Sequence, residues 1–222
     1  ELSGQTEYSN VLIGASLNKY DYLDSKEKGF IKRVSEGTIE RRIYLDYVLD
    51  LYSKTPVMKM KPLIRELLRM SVYQLLFMEH IPAAAVCNEA VKLAKKRRFQ
   101  SLQGYVNGVL RNIARGREDI ALPDREKDLG AYLSVRYSMP PWLVAHFSDC
   151  YGEGACEKIL QAYLKRGAVS VRLDERLSEK EREALLAAWE KDGATVKKHP
   201  YLPYAYGLQG VSGIRSLAGY QE

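Results

Sequence analysis

Cysteine is scarce in this chain. There are three in 222 residues, Cys87, Cys150 and Cys156, an odd set with no CxxC spacing. That excludes a disulfide-stapled secreted scaffold and points to a reducing compartment, so a cytoplasmic location is expected. No apolar run approaches the roughly 18 residues of a membrane span. The opening stretch, Glu1 to Asn10, has neither the basic nor the apolar region of a signal peptide. No membrane partner is therefore expected. Catalytic signatures are equally thin. His80, His146 and His199 lie far apart and are read as binding no metal. Gly152 and Gly154 begin a GxG, but Glu157 stands where the dinucleotide fingerprint needs its third glycine. Gly207, Gly210 and Gly213 read as turns, and no phosphate-loop lysine is present. Asp174 and Glu175 are adjacent carboxylates in a charged run, read as solvated surface. Cys150, between Asp149 and Tyr151, lacks the basic setting of a reactive thiol. The expectation is no catalytic, metal or cofactor-binding residue in this chain.

What the chain does have is positive charge, unevenly spread. The 34 Lys and Arg outnumber the 28 Asp and Glu, a net of +6. Residues 1–117 hold 20 basic and 12 acidic side chains, a net of +8, whereas residues 118–222 are net −2. Between Val91 and Arg117 lie eight cations and no anion: Lys92, Lys95, Lys96, Arg97, Arg98, Arg111, Arg115 and Arg117. A field of one sign attracts polyanions, so nucleic acid is the first partner to consider. A solvated surface with its counter-charges elsewhere in the fold is the alternative.

The first half reads as helices. Asp24 and Glu27 have capping-box spacing ahead of Phe30, Ile31 and Val34. The helical pattern runs on to Val48 with a bend at Gly37. Pro62 and Pro82 each suit a helix start, and Val86, Cys87, Ala90, Val91 and Ala94 then recur on one face. Tyr105, Val106, Val109, Leu110 and Ile113 form a further stripe. Such stripes bury one another, which gives an all-α bundle over residues 1–117. Residues 118–132 read as a linker. From 133 to 222 the pattern is helix, helix, strand, helix, strand, strand, with Ser178 and Glu181 as a second capping box. Trp142 and Trp189 are expected as buried anchors there. Tyr201, Tyr204 and Tyr206, beside Lys197 and Lys198, are candidates to stack on unpaired bases. The alternation of Tyr204 and Tyr206 also fits a strand burying one face, the favoured reading. The fold class is thus multi-domain, a helical bundle followed by a small α+β domain.

Two stretches carry a resemblance. Ile64 to Lys96 reads IRELLRMSVYQLLFMEHIPAAAVCNEAVKLAKK, and Gly104 to Arg115 reads GYVNGVLRNIAR. Together they resemble the NusB-type RNA-binding helical domain. Tyr8-Ser9-Asn10 and Ser35-Glu36-Gly37-Thr38 are similar to it too. Gln74, Arg111 and the stretch Leu133 to Val144, LSVRYSMPPWLV, favour one branch. This is the bacterial small-subunit ribosomal RNA 5-methylcytosine methyltransferase B family (RsmB/Sun/Fmu), where a NusB-like domain precedes an RRM-like subdomain.

The resemblance implies that ribosomal RNA of the small subunit is the partner. It also implies an S-adenosylmethionine-binding catalytic domain following Glu222, with the two catalytic cysteines, so this chain alone is expected to be inactive. The family's first amphipathic helix should precede Tyr8, where seven residues stand. RNA contacts are expected first from Lys92, Lys95, Lys96, Arg97 and Arg98 at a helix end, then from Arg111, Arg115 and Arg117, then from Arg41 and Arg42. The helix dipole also explains the first group, since cations suit a helix C-terminus. Two other readings remain: an antitermination-type module that binds RNA and protein without chemistry, and a scaffold that binds protein alone.

Overall fold

The computed structural model describes residues 8–165, 167–211 and 217–220. They fold as two compact units that divide between Leu164 and Lys165. The first unit begins with α1 (Ser9–Leu17) and α2 (Ser25–Glu40). Helix α2 starts at the expected capping box: Asp24 Oδ1 accepts from the Glu27 amide at 2.7 Å, and Glu27 Oε2 from the Asp24 amide at 3.0 Å. The bend, however, does not fall at Gly37. Gly37 lies inside α2, and the chain turns at Arg41 (φ −97°, ψ 12°) before α3 (Arg42–Tyr52). The glycine is there for another reason. A Cβ at Gly37 would overlap the Tyr73 ring, so its absence lets α2 close onto the helix that carries Tyr73.

Helices α4 (Pro62–Phe77), α5 (Ala83–Lys96) and α6 (Gln103–Arg115) complete the bundle, with Pro62 at the first helical position and Pro82 capping α5. Their stripes meet in one core of Leu45, Leu49, Ile64, Leu68, Val72, Leu110 and Ile113, among others. Among the described residues one charged group is buried there. Arg69 on α4 donates to both oxygens of Asp46 on α3 (2.6 Å each) and to Glu66 Oε1 (2.7 Å). Its burial opposes the charge, yet these hydrogen bonds hold its pKa above the ordinary value.

The expected linker is pinned for part of its length. Tyr52 Oη donates to Gly116 O (3.0 Å), Tyr47 Oη donates to Ala121 O (2.9 Å), and Ile120 packs on the bundle core. Its last residues belong to α7 (Leu129–Tyr137), which joins α8 (Pro141–Tyr151) and α9 (Glu153–Tyr163) around Leu133, Val144, Cys156 and Leu160. These three helices are part of the first unit. Ser138 fixes the joint. Its Oγ accepts from the amides of Ile43 (3.1 Å) and Tyr44 (3.4 Å), donors that the start of α3 leaves free. Ser138 itself is left-handed (φ 55°), ending α7. Ser138→Ala is therefore expected to destabilise the chain by about 1 kcal/mol, as loss of a helix cap does. Ser138→Gly should cost less, because glycine adopts the same backbone without strain. Urea unfolding of both variants checks the order.

In the second unit, β1 (Val169–Arg172), β2 (Thr195–Lys198) and β3 (Ala205–Gln209) form an antiparallel sheet in the order β1-β3-β2. Helix α10 (Glu179–Lys191) starts at the Ser178–Glu181 capping box. Leu173, Trp189, Ala194, Tyr206, Leu208 and Leu217 make its core, and Trp189 Nε1 donates to Ala218 O at 2.9 Å. Trp189 is thus the anchor expected; Trp142 is not, being 70% exposed. It stands two residues, about 200° of helix rotation, from the buried Val144 on α8. Gly207 is likewise no turn: it pairs with Ser170 and Lys197 within β3. Gly210 does turn (φ 80°), and Gly213 lies outside the described residues.

Candidate nucleic-acid interface

Helix α5 ends in a cluster of exposed cations. Lys92, Lys95, Lys96, Arg97 and Arg98 are all solvent-exposed. Among the described residues, Lys92 is paired with Glu89 (2.7 Å), while Lys95, Lys96, Arg97 and Arg98 have no ion pair. Charges without local counter-ions keep their field for a partner. The helix stops in an unusual way. Arg98 is left-handed (φ 66°), with the Phe99 amide returning to Ala94 O at 2.9 Å. This is the Schellman closure, which glycine normally makes. Lys61 joins the cluster from the start of α4, its Nζ 5.5 Å from the Phe99 ring centroid. No sequence spacing links residues 61 and 99; packing does.

The second group sits elsewhere. Arg111, Arg115 and Arg117 are exposed, but Arg111 Nε donates to Asn107 Oδ1 (3.1 Å) and Arg117 lies 3.8 Å from Glu118. Burial raises the pKa of the Cys87 thiol, and Arg111 opposes the shift. Lys92 to Arg98 close α5, whereas Arg111 and Arg115 lie on α6 and Arg117 just beyond it, so the eight cations divide between the ends of two helices. Arg41 and Arg42 form a third group. Arg42 is exposed, and the Arg41 guanidinium is half-buried, 5.0 Å from the Phe77 ring centroid.

Other groups singled out by sequence carry less. Tyr201 is 86% exposed, Tyr204 packs under Arg172 (5.1 Å) and Tyr206 is buried. Asp174 is held by Arg176, whose hydrogen bonds lower its pKa to about 2, and Glu175 is paired with Arg172. Each carboxylate thus serves an arginine, not an acid–base pair. His199 Nδ1 accepts from the amides of Tyr201 and Leu202 and shapes a turn. His146 does have a cysteine one helical turn on, since Cys150 Sγ lies 3.9 Å from its ring nitrogens. Two exposed side chains on one helix make no metal cage, and among the described residues no group of three or more metal-ligating side chains occurs. Cys87 and Cys156 are buried and free. No described helix is long and apolar enough to cross a membrane.

The NusB family pattern matches residues 3–115. A probable ribosomal RNA small subunit methyltransferase B of Bacillus subtilis (strain 168) is 34% identical over 198 residues, 89% of this chain and 43% of that protein. One of Synechocystis sp. is 26% identical over 224 residues, 100% of this chain and 49% of that protein. The chain thus spans less than half the length of these curated relatives. The crystal structure of PH0851 shares the fold, with a TM-score of 0.60 at 18% identity over 89% of this chain and 43% of that one.

Proposed function

The chain belongs to the NusB family through residues 3–115, and from that premise we propose that it is the RNA-recognition part of a small-subunit ribosomal RNA cytosine-C5 methyltransferase. In this reading residues 1–117 are the RNA-binding bundle, 118–132 a connection and 133–222 the subdomain preceding a catalytic domain. The observation that carries it is the end of α5, where Lys95, Lys96, Arg97 and Arg98 stand exposed with no ion pair among the described residues, joined by Lys61. Phosphate contacts of this kind fix position and affinity, while chemistry is done elsewhere. The match to methyltransferases beyond Arg117 favours this over an antitermination module. So does the sheet: β1-β3-β2 with a helix between β1 and β2 is the start of a β-α-β-β-α-β unit, which supports an RRM-like assignment. The Gly152–Gly154 stretch is a helix junction, Gly152 ending α8 and Gly154 lying inside α9, with no strand before it among the described residues. S-adenosylmethionine belongs, on this proposal, to the catalytic domain, and the setting is cytoplasmic.

The test is a titration with a small-subunit ribosomal RNA fragment at several salt concentrations. Binding should weaken steeply with salt, and alanine at Lys95, Lys96, Arg97 and Arg98 together should flatten the slope of log K against log salt by about 3. Unchanged affinity would remove the cluster from the site. A single substitution separates function from fold. Arg98→Gly should stabilise the chain by about 1 kcal/mol, the cost of a left-handed L-residue, and yet weaken RNA binding.

A further inference from the structure

A second set of donors with no protein acceptor among the described residues lies at the start of α3, which packs on α4 and on α7. Arg41, just before α3, sits 5.0 Å from the Phe77 ring centroid, and Tyr44 meets the same ring edge-on at 5.8 Å. Ser138, accepting the Ile43 and Tyr44 amides, holds the end of α7, two residues after the exposed Arg136, against the start of α3. Both Arg41 and Arg136 act electrostatically on the Tyr44 phenol, opposing the burial that raises its pKa. Among the described residues the Tyr44 hydroxyl makes no hydrogen bond, and Arg41 and Arg136 have no ion pair. Glu157 also feels Arg136, but its oxygens are taken by Arg125 (3.0 and 2.7 Å) and by the Tyr137 hydroxyl (3.1 Å).

We propose that Arg41, Arg136 and Tyr44 Oη form a second phosphate-binding site, built jointly by the bundle and α7, that grips one backbone phosphate of the bound RNA. The proposal rests on the RNA-binding reading above and adds a contact on a different face from the end of α5. A phosphodiester offers two unesterified oxygens and one charge, which two guanidinium forks and a phenol satisfy together. The surroundings favour a polyanion over a lone carboxylate. Tyr73 stacks on Phe77 at 5.3 Å, and Arg33 lies 6.0 Å from the Tyr73 ring centroid, so guanidinium groups recur along one aromatic strip. Repeating cations match repeating phosphates.

The test uses the full chain, a small-subunit ribosomal RNA fragment and the variants Arg41→Gln, Arg136→Gln, their double, and Tyr44→Phe. Each arginine variant should bind about 10-fold more weakly, and Tyr44→Phe a few-fold, as for loss of charge-assisted hydrogen bonds. Because both arginines hold one phosphate, the double variant should lose less than the product of the singles, and its salt slope should flatten by about 1. Multiplicative losses with a slope change near 2 would mean separate phosphates and overturn the joint site. Arg136 is exposed, so Arg136→Gln tests the proposal even if Arg41→Gln unfolds. Unchanged affinity of Arg136→Gln, with binding lost on alanine at Lys95 to Arg98, overturns this site and leaves the functional reading standing. Failure of the unmodified chain to bind RNA overturns both. Arg136-dependent binding of a polyglutamate peptide in place of RNA makes the face a protein contact and also overturns the proposal.

Discussion

Arg69→Met is expected to destabilise the chain by about 3 kcal/mol, measured by urea unfolding. The guanidinium is 7% exposed and joins α4 to α3 through two 2.6 Å bonds to Asp46, with Glu66 at 2.7 Å. Removing one member of a buried ion pair leaves its partners' charge uncompensated, which costs about 3–5 kcal/mol. Asp46 and Glu66 keep 26% and 40% exposure, so water recovers part of their solvation and the lower figure applies. A second change identifies the cause. Adding Asp46→Leu to Arg69→Met removes the stranded carboxylate, and the double variant should regain much of the loss. If it is no more stable than the single, packing and not charge explains the effect.

Gly37→Ala should cost about 1–3 kcal/mol, although alanine is the better helix former. The added methyl would occupy the space of the Tyr73 ring. That ring is 2% exposed, stacked on Phe77 at 5.3 Å, with Arg33 against it, so it has nowhere to turn. Gly29 lies on the same helix with open space around it, and Gly29→Ala should instead stabilise by about 1 kcal/mol through helix propensity alone. Opposite signs on one helix, read by thermal unfolding, separate the ring contact from backbone entropy.

These positions also show where sequence reasoning works. The stripes of α4, α5 and α6, the prolines that start α4 and α5, and both capping boxes are local patterns, and the structure has them. The bend near Gly37 is not local, because the reason for the glycine is a ring 36 residues further on. Trp142 misled for a related reason: its size favours burial, but which face of α8 is buried depends on α7 and α9. In the candidate interface the cations were visible in the sequence, whereas their pairing was not. Lys92 and Arg117 have carboxylate neighbours while, among the described residues, Lys95 to Arg98 have none. Lys61 carries no signal in its own segment; only the packed chain brings it to Phe99.

The Ser138 hydroxyl has a consequence for how the chain is assembled. It completes α3 from a residue 95 positions downstream, so the helix start stays open until α7 is synthesised and has docked. A truncation at Arg117 would keep every stripe of the bundle and still leave two amides to water. The bundle and the helices after it are thus coupled during maturation, and severing them exposes a backbone edge that the intact polypeptide conceals.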